Sequence, residues 1–500
     1  MIWQLFLCVV VFYCLFLRWK ARHQIKFSKL FKSDIKSLPI LGDSHWFLKC
    51  KNDTDRWKLL EMFGREALKQ GGLTISWQVH RLFLMVADPV VAEFLMKNCL
   101  EKDDSMKLAL ALVGNGSVVA DVPIWRPRRK VFVSTFSLKN LLNFTGIFSE
   151  QSMILTEQLQ KVAGRGSFSL SDYIISYAMD SVCETTLGIT VNAQQTPNQV
   201  LMQAFTGCCQ LISDRIIKPW LHFTPLYKLT PEHKQFMVYV DIIEKFINKV
   251  IQDKRRDMAD NNNIKAENKD APFKSFLELM IEASGGSSGY NDMELREEIV
   301  LLFVAATDTT TLGASFTSVL LARHPQVQEK VHQELQEVFG DSNRPVTADD
   351  LTRLKYLDAV IRESLRLYPP GPLLLRRADE DVVLPSGQTL PKGTGIMLCV
   401  FATHRNPRYW GEDAEQFRPE RFLDEQLRHP AAFLAFSYGP RNCIGYRFAM
   451  MSMKAVLATL LRRYKVLPIS EEDLGKPIDL KFDVMLRAAD DFQVILEPRS

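Results

Sequence analysis

The chain contains 500 residues, of which 47% are apolar, so it can bury a large core, and disordered and collagen-like classes are excluded. Its 62 basic and 58 acidic residues leave a formal net charge of +4, which provides no global field for recruiting nucleic acid. Nine cysteines at irregular positions show neither paired zinc-type spacing nor the density of a secreted disulfide scaffold, which indicates a reducing compartment.

An uncharged apolar segment, Ile2 to Leu17, lies near the N-terminus. It is shorter than the roughly 20 residues that span a hydrocarbon core, so a cleaved signal peptide and a buried core helix remain alternatives. Basic residues follow the segment and none precedes it, which favours an uncleaved anchor with the rest of the chain in the cytosol. We predict a transmembrane signal-anchor over residues 1–20, a basic, proline-containing linker over 21–45, and a catalytic domain over 46–500.

The body of the chain predicts many helices and small sheets, a mainly α fold of the α+β class. Short strand-like runs occur at Leu73–Trp77, Leu82–Val86 and Phe492–Leu496. Two polar segments, 254–270 and 284–289, are predicted to be surface loops on either side of a short helix. Because no internal repeat is found, we expect one unit.

A long helix is predicted from Asn291 to Arg323, with a cap and acidic residues at its start and a His-Pro pair after its end. In its apolar middle a lone carboxylate, Asp308, precedes three β-branched threonines, which conflicts with ordinary helix composition. We expect Thr309 to donate a hydrogen bond to the carbonyl of Ala305, loosening the helix and opening a groove. The alternative is a buried helix whose threonines have no chemical role.

An amphipathic helix is predicted from Asp350 to Tyr368, with Glu363 and Arg366 away from the centre of its apolar stripe. These two residues are three positions apart and can pair. On a surface such a pair would contribute only ~0.2–0.5 kcal/mol. Arg421, in the segment FRPERF, could join them and tie this helix to the segment that leads to Cys443.

The sequence FSYGPRNCIG places Cys443 between Gly439 and Gly445, with Arg441 two residues before it and Phe436 at the start. A thiolate held in a tight loop whose backbone donates hydrogen bonds is a metal ligand or a nucleophile. A cysteine that only fills a core needs no such surroundings. This loop is therefore the first candidate for a functional site.

The motifs occur in one order: VAATDTTT on the long helix, the ExxR spacing of Glu363 and Arg366, then FRPERF and FSYGPRNCIG. Together they resemble the cytochrome P-450 superfamily of haem-thiolate monooxygenases, over essentially the whole chain. The segments WRPRRKVFVSTFS, MDSVCETTLG and FSYGPRNCIGYRFAM further resemble insect microsomal members of the fourth P-450 clan. The resemblance implies the cytochrome P-450 fold, with a single large haem domain behind the N-terminal anchor.

The resemblance implies haem b, iron protoporphyrin IX, bound non-covalently apart from the bond between its iron and the Cys443 thiolate. Phe436 would pack beside the sulfur. Gly439 and Gly445 would let backbone amides hydrogen-bond to it. The residues implied to contact the haem propionates are Arg441, Trp125, Arg129 and Arg376.

On the long helix, Asp308 and Thr309 match the acid and alcohol that relay protons for dioxygen activation in this family. Ala305 and Ala306 would let the flat cofactor approach the helix backbone. Ala306 stands where the family usually has glycine, which would narrow the oxygen groove. Ala305 stands where many fatty-acid ω-hydroxylating relatives carry a glutamate that esterifies the haem, so no such ester is expected.

The implied reaction inserts one oxygen atom from O2 into an apolar substrate such as a fatty acid, hydrocarbon, odorant or xenobiotic. Electrons would come from NADPH through NADPH-cytochrome P-450 reductase, with cytochrome b5 as a further candidate partner. Basic residues that would face an acidic reductase, or form an ordinary solvated surface, are Arg128, Lys130, Arg428 and Arg447. The implied location is the endoplasmic reticulum membrane, with residues 2–17 in lipid, the catalytic domain in the cytosol and no nucleic-acid partner.

The substrate pocket is predicted to be lined by mainly apolar segments at 109–120, 205–229, 303–306, 370–375 and 484–486. These segments do not distinguish one apolar substrate from another. Two other classes of function remain open. One is a haem-thiolate isomerase or dehydratase acting on hydroperoxides, and the other is a non-catalytic haem or lipid binder.

Overall fold

The computed structural model describes residues 19–38, 41–78, 81–196, 199–218, 221–263, 274–285, 289–424 and 426–499. The predicted anchor, Ile2 to Leu17, lies outside the described residues, as does the 264–270 part of the first predicted loop. Within them, helices predominate and the strands form small separate sheets, which confirms the predicted α+β class.

The elements are numbered here in chain order. The described α-helices are α1 Arg22–Ser28, α2 Ser44–Phe47, α3 Asp53–Lys69, α4 Pro89–Asn98, α5 Leu110–Val113, α6 Val122–Thr135, α7 Leu138–Leu142, α8 Thr145–Leu159, α9 Leu170–Val182, α10 Gln199–Ile217, α11 Thr224–Tyr227, α12 Pro231–Asn263, α13 Phe276–Ala283, α14 Asp292–Arg323, α15 Pro325–Phe339, α16 Ala348–Arg353, α17 Lys355–Leu367, α18 Val400–Thr403, α19 Pro407–Trp410, α20 Arg421–Asp424 and α21 Tyr446–Arg463. The described strands are β1 Leu73–Gln78, β2 Arg81–Val86, β3 Phe168–Ser169, β4 Leu374–Arg377, β5 Val382–Val383, β6 Thr389–Leu390, β7 Gly395–Leu398, β8 Tyr464–Leu467, β9 Leu480–Asp483, β10 Met485–Ala488 and β11 Gln493–Pro498.

The chain divides into two compact units, and the first contains residues 1–107, 371–416 and 427–442. Its main sheet has the order β1-β2-β7-β4, in which β2 and β7 are parallel and the other neighbours are antiparallel. Because successive strand residues point to opposite faces, Leu84 and Ile396 join one apolar core while Met85 and Met397 join another. The sheet is thus covered by apolar side chains on both faces.

The second unit contains residues 108–370, 417–426 and 443–500, and its centre is the long helix α14. Helices α9, α12, α17 and α21 pack against α14. A three-stranded sheet of order β3-β11-β8 and the hairpin of β9 and β10 belong to the same unit. The strand predicted at Phe492–Leu496 is confirmed as β11.

Helix α14 confirms the predicted span and its start signal. Asn291 and Glu294 form a capping box, and the acidic residues Asp292 and Glu294 lie in the first turn, where the helix dipole favours negative charge. Within the part of the chain that the structure describes, α14 is the helix that is long and apolar enough to cross a membrane. The protein buries 78% of its 18-residue apolar segment. That burial indicates a core helix.

The helix predicted from Asp350 to Tyr368 is wrong as a single element, because α16 ends at Arg353 and α17 begins at Lys355. Asp350 forms a capping box with Thr347 at the start of α16. The carboxylate of Glu334 then accepts hydrogen bonds from the backbone N–H groups of Tyr356 and Leu357, at 2.6 and 2.9 Å. A side chain distant in sequence therefore caps the second helix.

The surface loop predicted at 254–270 is also wrong over its first part, because α12 continues to Asn263. Two ion pairs support this end of the helix: Lys254 with Glu278 at 3.4 Å and Arg255 with Asp292 at 2.7 Å. These partners lie on α13 and α14. Their distance in the sequence explains why local composition misled the prediction.

Glu184 lies in a π-helical turn, Cys183–Leu187, that follows α9. Burial, reinforced by the charges of Glu150 and Asp180, raises the pKa of Glu184 from its ordinary value of 4.5 to about 7. Gln151 donates a hydrogen bond of 2.8 Å to its carboxylate. The folded protein therefore binds a proton here more tightly than the unfolded chain does.

We predict that the stability of Glu184→Gln, compared with that of wild type at the same pH, increases as the pH rises through about 7. The raised pKa of Glu184 contributes stability in acid that wild type loses as this carboxyl ionises, and glutamine does not ionise. Thermal midpoints of both proteins should be compared from about pH 5 to about pH 8. The matched control is Glu157→Gln, because Glu157 is an exposed carboxylate on α8. A difference between Glu184→Gln and wild type that does not change with pH would contradict this prediction.

Candidate active site

The loop before α21 adopts a backbone that only particular residues tolerate. Gly439 has φ of +72°, and a Cβ there would lie 2.9 Å from the carbonyl oxygen of Met96. Ser437 also has a positive φ, +63°, and the N–H of Asn442 donates to the carbonyl of Gly439 at 3.1 Å. Strained backbone of this kind persists where the surrounding contacts hold it.

Cys443 is the exposed cysteine among the described thiols. The residue is exposed, yet the protein atoms around its thiol raise the pKa of that thiol by burial. The backbone N–H of Gly445 and the charge of Arg129 oppose that shift, because both favour the thiolate. By contrast, burial raises the pKa of Cys99 to about 12 and that of Cys399 to about 12, so these thiols are inert core residues.

Three cations gather in the first unit: Lys102, Arg376 and Arg441. Burial and the charge of Arg441 lower the pKa of Arg376 to about 10, and its buried Nε has no hydrogen-bond partner among the described residues. Burial, Arg376 and Arg441 lower the pKa of Lys102 well below its ordinary value. Like charges removed from water are costly unless an anion joins them. The cluster therefore fits a ligand with carboxylate groups, as the propionates of a haem provide.

Arg376 and Arg441 were predicted for this role, whereas Lys102 was not. Lys102 lies in the polar segment Glu101–Ser105, whose composition is typical of a surface turn. Only its position beside two arginines distinguishes it. No local pattern could have identified it.

Helix α6 supplies the two remaining predicted anion ligands. Trp125 is buried, and Arg129 is half-buried one turn further along the same helix. Burial lowers the pKa of Arg129, and the nearby sulfur of Cys443 acts in the opposite direction. The structure thus brings Arg129 to the cysteine loop within the second unit.

Beyond its first turns, helix α14 is partly accessible over one short stripe. From Glu297 to Arg323 every residue is buried except Val304, Ala305, Ala306 and Thr309. Thr309 Oγ1 donates to the carbonyl of Ala305 at 2.7 Å, as predicted. The predicted loosening of the helix is wrong, because α14 continues unbroken through this hydrogen bond. The accessible stripe therefore consists of small residues and one hydroxyl.

Asp308 is buried beside that stripe and forms an ion pair with Arg487 of β10, with Nη2 and Oδ1 2.8 Å apart. The sequence analysis missed Arg487. A signal was present, because Arg487 is the one charged residue between Val484 and Ala489, and Asp308 is the one charged residue between Ile299 and Ala322. A lone charge in an apolar segment indicates a partner elsewhere.

Glu363, Arg366 and Arg421 form the predicted cluster, and it is buried. Arg366 makes two hydrogen bonds to the Glu363 carboxylate, at 2.7 and 2.8 Å, and Arg421 Nε lies 3.3 Å from it. The backbone N–H of Arg418 donates to the same carboxylate at 2.8 Å. The cluster therefore joins α17 to the start of α20, and the surface-pair alternative is excluded.

A family model described as Cytochrome P450 matches residues 38–495. This chain belongs to the cytochrome P-450 family. It is similar to cytochrome P-450 4d2 of Drosophila melanogaster, 32% identical over 478 residues and 93% of each chain. It is also similar to cytochrome P-450 4c21 of Blattella germanica, 31% identical over 99% of this chain and 97% of the relative, and to human cytochrome P-450 4V2, 34% identical over 80% and 77%.

The protein is a cytochrome P-450 monooxygenase of the fourth clan, an oxidoreductase that uses haem-thiolate iron and O2. The residues of this P-450 fit that cofactor chemically. An exposed cysteine with a thiolate-stabilising neighbour suits the iron, and a buried cluster of three cations suits the propionates. The small-residue stripe on α14 suits a flat ring system.

One prediction about the surface of this P-450 is wrong. Arg128 does not lie on a docking face, because it is buried between Glu297 and Glu298 of α14, at 2.9 and 3.0 Å. The residues next to Arg128 are mostly basic, as on an exposed helix. Only the tertiary pairing with Glu297 and Glu298 therefore reveals that Arg128 is buried. The other basic candidates, Lys130, Arg428 and Arg447, are exposed.

The same two glutamates hold the loop before α6. Glu297 accepts from the backbone N–H of Asn115 at 2.8 Å, and Glu298 accepts from the N–H and hydroxyl of Ser117 at 3.1 and 2.9 Å. A Cβ on Gly114 would lie 2.5 Å from the Glu297 carboxylate, so this approach requires glycine. The cluster fixes the 114–117 loop against α14.

We predict that Arg128→Met destabilises this P-450 by about 3–5 kcal/mol, because two buried carboxylates lose their cation. Urea unfolding of the haem-loaded protein measures this, with haem absorbance and circular dichroism followed together. Lys130→Met, an exposed site on the same helix, is the control and should change stability by less than about 0.5 kcal/mol. Equal stabilities of the two variants would show that Arg128 is not the cation on which these glutamates depend.

Proposed function

We propose that this P-450 is anchored in the endoplasmic reticulum membrane by residues 1–20, linked through 21–45 to a cytosolic haem domain over 46–500. It would take NADPH-derived electrons from NADPH-cytochrome P-450 reductase and oxygenate an apolar substrate, such as a fatty acid, hydrocarbon, odorant or xenobiotic. The observation that carries the proposal is the accessible Cys443 in a strained loop, with Arg129 and the Gly445 N–H favouring its thiolate.

The residues assigned to the cofactor act by charge and shape. Cys443 would bind the haem iron as thiolate, and the haem supplies the oxygen-activating iron chemistry when bound. Phe436, which is half-buried, would shield the sulfur from water. The propionates would be held by Lys102, Arg376, Arg441, Trp125 and Arg129.

The residues assigned to proton delivery lie on α14. Thr309 holds its proton on the carbonyl of Ala305, 2.7 Å away. A rotation about its side-chain torsion would redirect that proton into the accessible stripe formed by Val304, Ala305 and Ala306. Asp308, which directly precedes Thr309 in the sequence, can replace the proton that Thr309 gives up.

The substrate would occupy apolar surroundings. Phe205 of α10 and Phe303 of α14 pack edge to face with ring centroids 5.6 Å apart. The tip of the β9–β10 hairpin adds Val484, Met485 and Leu486 from the predicted pocket-lining segments. These side chains favour an apolar substrate and do not distinguish a fatty acid from a hydrocarbon, an odorant or a xenobiotic.

The partners assigned are the reductase and, as a second electron donor, cytochrome b5. Lys130, Arg428 and Arg447 are exposed and would complement an acidic partner surface. The apolar segment Ile2–Leu17, followed by basic residues, supports membrane anchoring with the catalytic domain in the cytosol.

The test of this proposal is the carbon monoxide difference spectrum of the reduced protein in membranes. We expect the strongly red-shifted Soret band of thiolate ligation in wild type and its loss in Cys443→Ser, because a serine oxygen is a poor substitute for thiolate. Cys399→Ser, a buried core thiol, is the control and should keep the band. A Cys443→Ser protein with the full thiolate band would exclude Cys443 as the iron ligand.

For Thr309→Ala we predict normal haem incorporation and a larger share of NADPH electrons released as hydrogen peroxide, because the hydroxyl that passes protons is lost. Peroxide yield per NADPH, measured with reductase, gives this share. Thr311→Ala, whose buried hydroxyl donates to the carbonyl of Thr307, is the matched control. The same peroxide yield in wild type and Thr309→Ala would remove Thr309 from proton delivery.

A further inference from the structure

The ion pair between Asp308 and Arg487 joins the long helix to a hairpin distant in sequence. We propose that Arg487 is a positioning residue for proton delivery: it holds the carboxylate of Asp308, the residue before Thr309 on α14, in one orientation and leaves Oδ2 without a protein partner among the described residues. This inference rests on the proposed function, since it assumes that Asp308 and Thr309 deliver protons.

The geometry separates the two carboxylate oxygens of Asp308. Oδ1 accepts from Arg487 Nη2 at 2.8 Å, and Oδ2 accepts no hydrogen bond from the described residues. The side chain of Asp308 keeps 7% of its exposure and that of Arg487 keeps 21%, so the pair lies largely out of water. A desolvated ion pair with good geometry fixes its partners more strongly than a surface pair does.

Arg487 serves two carboxylates. Its Nε lies 3.5 Å from Oδ2 of Asp483, across the turn between β9 and β10. Burial alone would lower the pKa of Arg487, but Asp308 and Asp483 outweigh it and raise the pKa, so the guanidinium stays charged. The guanidinium of Arg487 therefore bridges α14 and the end of β9. Cys209 of α10 faces the same group, and burial raises the pKa of its thiol, so it stays neutral.

The hairpin that carries Arg487 has a strained tip, and two hydrogen bonds hold it to the rest of the second unit. Val484, a β-branched residue, has φ of +54°, a conformation such residues rarely adopt. Its N–H donates to the hydroxyl of Ser213 at 3.2 Å, and the N–H of Leu486 donates to the carbonyl of Pro370 at 2.9 Å. These contacts set where the guanidinium of Arg487 meets α14.

The proton balance follows from this arrangement. A hydronium ion from solvent gives a proton to Oδ2 of Asp308 and becomes water, so Asp308 is a neutral carboxyl while Arg487 stays bound to Oδ1. When Thr309 passes on its hydroxyl proton, Asp308 replaces it and returns to the carboxylate. Arg487 gains and loses no proton, and its role is to keep the carboxylate in one orientation during the transfer.

The test uses the haem-loaded full chain with NADPH-cytochrome P-450 reductase, and dodecanoic acid as the probe ligand. We expect Arg487→Gln to raise the fraction of NADPH electrons recovered as hydrogen peroxide about two- to fivefold and to change the solvent isotope effect on NADPH oxidation. Arg487→Lys, which keeps the charge with a shorter reach, should give an intermediate fraction. In an Asp308→Asn background, Arg487→Gln should add nothing further, because both changes interrupt one relay.

A residue with only a structural role would lower haem content and leave the peroxide fraction at its wild-type value. A wild-type peroxide fraction in Arg487→Gln therefore overturns the inference while the proposed function stands. If Arg487→Gln fails to bind haem, Arg487→Lys carries the test, and a wild-type fraction there overturns the inference. A wild-type protein with no thiolate band or no reductase-dependent NADPH oxidation overturns the proposed function and this inference together.

Discussion

The buried carboxylates on or beside α14 impose the strongest constraint on the second unit. A carboxylate removed from water is costly unless a cation meets it with good geometry. Arg128, Arg487 and Arg421 come from segments distant in sequence from the carboxylates that they meet, whereas Arg366 lies three residues after Glu363 on the same helix. The pairs are Glu297 and Glu298 with Arg128, Asp308 with Arg487, and Glu363 with Arg366 and Arg421. They fix, in turn, the 114–117 loop, the β9–β10 hairpin and the segment before α20.

The first unit shows the opposite imbalance of charge. Burial lowers the pKa values of Lys102 and Arg376, Arg376 and Arg441 lower that of Lys102 further, and Arg441 lowers that of Arg376 further, whereas the carboxylates on or beside α14 have cations in place. Several buried charges of one sign gathered in a folded protein indicate a ligand of opposite sign. In a cytochrome P-450 the haem carries two carboxylates, which would offset the cost of burying these cations.

The sequence predicted several local features because each depends on neighbouring residues. The Asn291 and Glu294 cap, and the bond from Thr309 to the carbonyl of Ala305, lie within one helical turn. The predictions that failed involve distant partners. Glu334 caps α17 and divides the expected 350–368 helix, and Glu297 and Glu298 take Arg128 away from the surface.

The sequence by itself determined the family, the α+β class, the cysteine loop and the order of the motifs, because residue types at fixed short spacing carry that information. Asp308 stood out as a lone charge in an apolar segment, whereas Arg487, which has the same character, was missed. Only the tertiary structure decided that pairing, the burial of Arg128 and the place of Lys102. The physical reason is that the energy of a buried charge depends on which distant group lies within a few ångströms of it.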